Sequence, residues 1–317
     1  MRTALVVVAA AVVTATLIRP PRALAAGRWG ADYFPNVALT TQEGNVVHFY
    51  DDLLKGKAVA VNLVYTRCTA SCPLETAKLA QVQRLLGDRV GKEIFFYSIS
   101  IDPTHDTPEV LKAYAEKFHI GPGWLFLTGH EEDIRLVSRK LGLSSLTDAG
   151  SRDGHQPSLM IGNEPTGEWM RNSAVDNPRF LAATMINFFG SRKAAGLTNS
   201  YANAPAMPDM DRGGYLFRSR CSACHTIGGG AGVGPDLAGV TARRDRAWLE
   251  RYIAEPDRLL AGNDPIAVEL FARYRNVRMP NLQLSSEEVG ALLGYLEEQR
   301  RVAAARSAAP VKNAAMP

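Results

Sequence analysis

The chain has only four cysteines in 317 residues, and none lies outside two tight pairs, Cys68/Cys72 and Cys221/Cys224. A disulfide framework spreads its cysteines more evenly, so each pair reads instead as a redox or metal site. Histidine is also scarce: there are six, and none follows His225. A zinc site around Cys221 and Cys224 would need Cys or His ligands further along, and the chain has none. Charge imbalance is missing as well. The formal net charge is +4, but Arg2, Arg19 and Arg22 sit in the first 26 residues with no acid, and without them it falls to +1. A nearly neutral chain offers no electrostatic case for nucleic acid or an anionic membrane surface. Beyond the N-terminus there is no apolar run long enough to cross a bilayer, which takes about 20 residues.

The N-terminus reads as an export signal. Arg2 is a short positive region, Ala4 to Ile18 is an unbroken run of apolar and small residues plus Thr, and Arg19-Pro20-Pro21-Arg22 breaks any helix. Ala23-Leu24-Ala25 then supplies small residues at the two positions a signal peptidase reads. Residues 1–26 are therefore expected to be a signal peptide and the mature protein periplasmic or otherwise extracytoplasmic. An uncleaved anchor is the alternative and the only expected link to a membrane. No cysteine lies near the cleavage site, which argues against a lipoprotein.

The length exceeds one ordinary core, so two domains are expected. From Val37 to about Gly190 strand and helix patterns alternate. A hairpin turns at Gln42-Glu43-Gly44, Ala58 to Tyr65 is a buried strand, and a helix runs from about Pro73 to Leu86. Ile94 to Ile101 is the next strand, and a helix with an early Pro108 follows. A short strand at Trp124, a helix from Glu131, a hairpin around Glu164 to Gly167 and a helix from Pro178 to Phe189 complete a mixed α/β layer. Residues 194–210, rich in Ala, Asn and Pro, read as a linker. Residues 211–302 carry only helical signals, with a capping-box pair at Ser285 and Glu288. The Ala-rich tail 303–317 reads as disordered. The first domain spans 27–193.

Cys221-Ser222-Ala223-Cys224-His225 is a C-x-x-C-H motif. Two thiols at this spacing can add across the two vinyl groups of a haem, and the next residue presents an imidazole to its iron. One covalent haem c is the implied cofactor, which also fits export. With no later histidine, Met279 in Arg278-Met279-Pro280-Asn281-Leu282 is the expected sixth ligand; the bland reading is a methionine filling a gap in the core. A thioether ligand favours electron transfer over oxygen chemistry. Through CSACH, the Gly234-Pro235-Asp236-Leu237 loop and RMPNLQLSSEEVGALLGYL, this region resembles the small class I cytochromes c. The resemblance implies that the Pro235 carbonyl fixes the His225 ring.

Cys68 and Cys72 follow a buried strand, with Pro73 opening the next helix. A helix N-terminus lowers thiol pKa through its exposed N–H groups and dipole. A purely structural disulfide closing so small a loop would restrain the unfolded chain little. A peroxiredoxin-type peroxidase would hold Thr three and Pro seven residues before its reactive Cys, where this chain has Tyr65 and Val61. A thioredoxin-type reductase would have one residue fewer between its cysteines. The longer spacing suits two thiolates converging on one soft ion, with a disulfide still open to it. Two thiolates and an imidazole would hold Cu(I) and tolerate Cu(II). Of His48, His105, His119, His130 and His155, the last is the best candidate, since it ends a polar loop just before the Ser158 strand.

The stretches NLVYTRCTASCPLET, YSISIDPTHDTPEVLKAYAEKF and GPGWLFLTG, with a late Asp153-Gly154-His155, resemble the Sco/SenC family of thioredoxin-like copper proteins. The resemblance implies a thioredoxin-like fold, a copper ion on Cys68, Cys72 and His155, and copper supply to, or cysteine reduction at, the CuA centre of cytochrome c oxidase. Expected partners are the CuA-bearing oxidase subunit or its assembly factors, and redox proteins. The family usually has Asp and His adjacent, whereas Gly154 intervenes here. Pro157 is similar in place to the cis-proline of thioredoxin-type reductases. Three functions stay open: a copper-binding assembly factor with a redox module, a haem-linked thiol–disulfide oxidoreductase using the Cys68/Cys72 dithiol, and an electron carrier whose first domain only docks. A one-electron haem pairs more simply with copper than with a two-electron disulfide.

Overall fold

The computed structural model describes residues 29–143, 156–189 and 211–308. The expected export signal, the linker and His155 lie outside them.

The first unit is built on one seven-stranded sheet. Its strands are β1 (Ala38–Thr41), β2 (Val46–His48), β3 (Ala58–Val64), β4 (Ile94–Ser100), β5 (Trp124–Gly129), β6 (Ser158–Asn163) and β7 (Glu168–Ser173), in the spatial order β2-β1-β5-β4-β3-β6-β7. The centre, β5-β4-β3, is parallel, and the flanking pairs are antiparallel. β3 reads AVAVNLV and is buried almost throughout, as a central strand covered on both faces must be. One face carries α1 (Cys72–Leu86), α2 (Pro108–Lys117) and α4 (Pro178–Phe189), whose Leu79, Val82, Leu111 and Leu181 share a core with Phe96, Phe126 and Ile161. On the other face, α3 (Glu131–Lys140) and a helical turn at Phe49–Leu54 pack against Val59, Val61, Tyr97 and Ile99.

Polar groups run through this apolar centre as one connected chain. Trp124 Nε1 donates to Ser98 Oγ at 2.9 Å, and Ser98 donates to Asn62 Oδ1 at 2.7 Å, tying β5, β4 and β3 together. Satisfied in this way, a buried polar chain fixes strand register at little net cost. Asn62 in turn hydrogen-bonds Glu75 on α1, so the chain reaches the helix that carries Cys72.

The second unit is helical: α5 (Arg212–Leu216), continued by a turn through Phe217–Cys221, then α6 (Val240–Arg243), α7 (Arg246–Ala254), α8 (Pro256–Ala261), α9 (Pro265–Arg273) and α10 (Ser286–Ala308). Aspartates cap three of these helices: Asp211, Asp245 and Asp264 each accept hydrogen bonds from first-turn backbone N–H groups. The capping box closes reciprocally, Ser285 N–H to Glu288 at 3.0 Å and Glu288 N–H to Ser285 Oγ at 3.3 Å. α5 crosses α10 at Gly213, where a Cβ would stand 2.1 Å from the Ala291 carbonyl oxygen. Three elements depart from the sequence expectation. α6 and α8 are too short to show a periodicity. α10 runs past Val302 to Ala308, into the Ala-rich stretch expected to be disordered, because alanine has the highest helix propensity.

Candidate functional site

The chain enters the first site through a braced turn. Asp106, fully buried, accepts from the Thr66 N–H at 3.1 Å, from Thr66 Oγ1 at 2.6 Å and from Ser100 Oγ at 2.6 Å. Arg67 pairs with the buried Asp102 at 2.8 Å. These bonds fix the segment from the end of β3 to Cys68. Cys72 is the first residue of α1, with Pro73 behind it, where proline's missing N–H costs nothing.

Both thiols are buried and reduced, and they hydrogen-bond each other. They are not equivalent. The Cys68 sulfur receives the Cys72 thiol, and the backbone N–H groups of Cys72 and Ala70 and the Tyr65 side chain also favour its anion; against desolvation, these bring its pKa down to about 6. Cys72 is pushed well above the ordinary thiol value by burial and by the anion it faces. At neutral pH the pair is one thiolate and one thiol, sharing a proton across a soft two-sulfur site.

Glu75 lies one helical turn further on, 1% exposed. Burial raises its carboxyl to about 8, and the charge on Cys68 adds to this, while bonds from Ser71 and Asn62 oppose it. At pH 7 Glu75 is therefore a neutral acid beneath the dithiol. The sequence alone does not single it out, although its place three residues after Cys72 puts it on the same helical face.

His155, with Asp153 and Gly154, lies outside the described residues. The other upstream imidazoles, His48, His105, His119 and His130, are all exposed, as expected for surface residues in the case of His119 and His130. Among the described residues no cluster of three His, Cys, Asp or Glu is arranged to hold a metal ion. No peptide bond among them is cis, so Pro157 does not share the cis geometry of the reductase proline.

In the helical unit, the turn ending α5 carries Cys221, Cys224 and His225. His225 Nδ1 lies 2.9 Å from the Pro235 carbonyl oxygen. A carbonyl only accepts, so Nδ1 bears the hydrogen and Nε2 keeps its lone pair for a metal. Burial lowers the His225 pKa, which also keeps the ring neutral. A Cβ on Gly234 would stand 2.6 Å from the ring, so the loop approaches this closely only because it has glycine there. Asp236 holds that loop by accepting from the N–H groups of Ala238, Gly228 and Gly230 at 2.7–2.8 Å, which bring its own pKa to about 2. The Asp236 clamp has a faint signal in the sequence, a carboxylate closing a glycine-rich loop. The donor set fits a c-type haem: two thiols to anchor it and a neutral, oriented imidazole. Cys221 and Cys224 are both pushed by desolvation to about 12, the reverse of Cys68. Met279 lines a pocket with Tyr252, Asp257, Phe271 and Val277, and also with Thr69 of the dithiol loop.

Comparison with known proteins agrees with this division. The SCO1/SenC family model matches residues 28–158 and the cytochrome c family model residues 210–300. A SCO2-like protein of Rickettsia felis is 32% identical over 146 residues, 44% of this chain and 68% of that protein. The mitochondrial SCO2 protein of Saccharomyces cerevisiae is 35% identical over 92 residues, 29% of this chain and 30% of that one. Among solved structures, Bradyrhizobium japonicum ScoI with copper bound is 25% identical, with a TM-score of 0.40, covering 48% of this chain and 96% of that one. A SCO1/SenC family lipoprotein from Bacillus anthracis is 27% identical, with a TM-score of 0.43, covering 52% of this chain and all of that one. The cytochrome c domain implies a haem c. With its α/β dithiol unit matched by the Rickettsia felis relative over 68% of that protein and its helical unit matched separately, the chain belongs to the SCO1/SenC family and joins to that domain a C-terminal cytochrome c domain.

Proposed function

We propose that this is an exported, extracytoplasmic copper-handling protein that delivers or reduces copper for the CuA centre of a cytochrome c oxidase, with the haem domain exchanging electrons with the copper site. The observation that carries the reading is the Cys68/Cys72 pair: two buried sulfurs hydrogen-bonded to each other, one already a thiolate at neutral pH. Such a pair suits a soft ion held as cargo, with His155 as the third ligand. Relatives support it in kind, since solved Sco proteins from Bradyrhizobium japonicum and Arabidopsis thaliana have copper bound. Another solved relative is described as one of the Sco family of cytochrome c oxidase assembly proteins.

In the second domain Cys221 and Cys224 would anchor the haem, and His225 and Met279 would ligate its iron. When bound, that group supplies a reversible one-electron couple. His225 holds its tautomer through Pro235, and Asp236 and Gly234 keep that loop against the ring.

The acidic Cys68 beside a protonated Cys72 also favours a second reading, a thiol–disulfide oxidoreductase linked to the haem. His155→Ala separates the two. Loss of copper binding with thiol exchange retained supports the copper role. Unchanged copper binding contradicts the ligand set, and a wild-type protein that takes up no copper yet exchanges thiols as fast as His155→Ala points to the second reading.

A further inference from the structure

The two sites meet through a small set of contacts. The Asn281 N–H, two residues past Met279, donates to the Thr69 carbonyl at 2.8 Å, and Thr69 directly follows Cys68. Gln81, on the helix that begins with Cys72, donates from Nε2 to the Ser222 carbonyl at 3.3 Å, and Ser222 lies between Cys221 and Cys224. Cys224, Ala223, Val233 and Val277 pack against the buried cluster that includes Cys68 and Cys72. Thr69 also shares a pocket with Met279. The dithiol loop and its helix thus touch both the haem-attachment turn and the methionine loop.

We propose that the hydrogen bond from Asn281 to Thr69 is the electron-transfer junction between the dithiol site and the haem, with Gln81 a positioning residue for it. The inference rests on the copper-handling function. From Met279 the covalent route passes through Pro280 to the Asn281 amide, crosses one hydrogen bond, and reaches Cys68 one residue beyond the Thr69 carbonyl. The exchange moves one electron: iron goes from ferrous to ferric as the copper cargo goes from cupric to cuprous, and no proton or bond is transferred. Because one chain carries both sites in contact, the exchange is first-order and does not need two molecules to meet.

The test uses the full copper-loaded holoprotein. The haem is reduced by a flash with an external photosensitiser, and loss of the ferrous signal is followed. The expected rate constant does not change on dilution. Asn281→Pro removes the amide hydrogen, while Asn281→Ala loses the same side-chain bonds to Asp257 and Gln283 but keeps it. The proline variant is expected to be several-fold slower than the alanine variant, because the electron must then cross a through-space gap where the hydrogen bond stood. Equal rates in the two overturn the proposal, as does a rate that scales with protein concentration. The far-red methionine-to-iron band of the ferric haem is read in every sample. If the proline variant lacks it, Gln81→Glu carries the test, since it sets an acceptor against the Ser222 carbonyl without touching a haem ligand. Slowed exchange with the band intact then supports the junction, and the wild-type rate overturns it. A chain that takes up no copper overturns the copper-handling function and this inference together. A chain that loads copper but exchanges electrons only between molecules overturns this inference alone.

Discussion

Ser71 Oγ donates to Glu75 Oε1 at 2.7 Å, so the residue just before α1 holds a buried carboxyl under the cysteine pair. The same carboxyl also hydrogen-bonds Asn62, which is tied in turn to Ser98 and Trp124. The dithiol therefore sits on a polar chain anchored in the three central strands, and Glu75 is its acid end.

This arrangement gives stability a definite pH dependence. Glu75 is raised from 4.5 to about 8 on folding, so below 4.5 it is protonated in both states and its full contribution is present. Between 4.5 and 8 the unfolded chain gives up a proton that the folded chain keeps, and stability falls by about 1.4 kcal/mol per pH unit from this group. Cys68, lowered to about 6, acts in the opposite sense above that pH. In copper-free reduced protein, the difference between wild type and Glu75→Gln in urea unfolding should therefore change steadily between pH 4.5 and 6. A difference independent of pH there contradicts a buried neutral carboxyl.

The inequality of the two thiols can be read directly. In the copper-free protein, alkylation of Cys68 should follow a titration centred near pH 6, while Cys72, held above the ordinary thiol value, reacts only slowly at neutral pH. Mass mapping of the modified peptide against pH checks this. Preferential modification of Cys72 would reverse the assignment.

Gly213→Ala should destabilise the haem domain. Alanine gains about 1 kcal/mol of helix propensity over glycine. Its Cβ would stand 2.1 Å from the Ala291 carbonyl oxygen, however, so α5 and α10 must separate, at a cost of roughly 1–3 kcal/mol or more for overpacking. The clash is with backbone and wins. Thermal unfolding followed at the haem absorbance should show a lower Tm, with the attachment motif unaltered.

Met279→Leu should leave the haem covalently attached but remove the far-red band of the ferric state and lower the haem potential, because a thioether ligand raises it. Spectra and a potentiometric titration check both. An unchanged band would show that another group ligates the iron.

Much of this was legible in the sequence, and for physical reasons. β3 and β4 are apolar on both faces, the proline at the start of α1 marks a helix N-terminus, and C-x-x-C-H has one common meaning. The Ser285/Glu288 box appears as read, because capping is a local matter between residues three apart. What was not legible depends on residues distant in the chain. Nothing near Asn281 says that its amide faces Thr69, and nothing near Gln81 points to Ser222. Glu75 is an ordinary helix acid until the sheet closes over it. α6 and α8, a few residues each, are held by tertiary contacts and not by a pattern of their own.

The central claim is that Cys68 and Cys72 form a soft metal site served by the haem of the same chain. The direct measurement is a titration of the thiol-reduced holoprotein, with Cu(II) while its haem is ferrous and with Cu(I) while its haem is ferric, reading free thiols, bound copper and the haem spectrum together. One copper per chain is expected, with loss of both free upstream thiols and a haem redox change that follows the copper; Cys68→Ser should abolish uptake and spare the haem. Copper binding that survives Cys68→Ser, or thiols that stay free at saturation, would contradict the account.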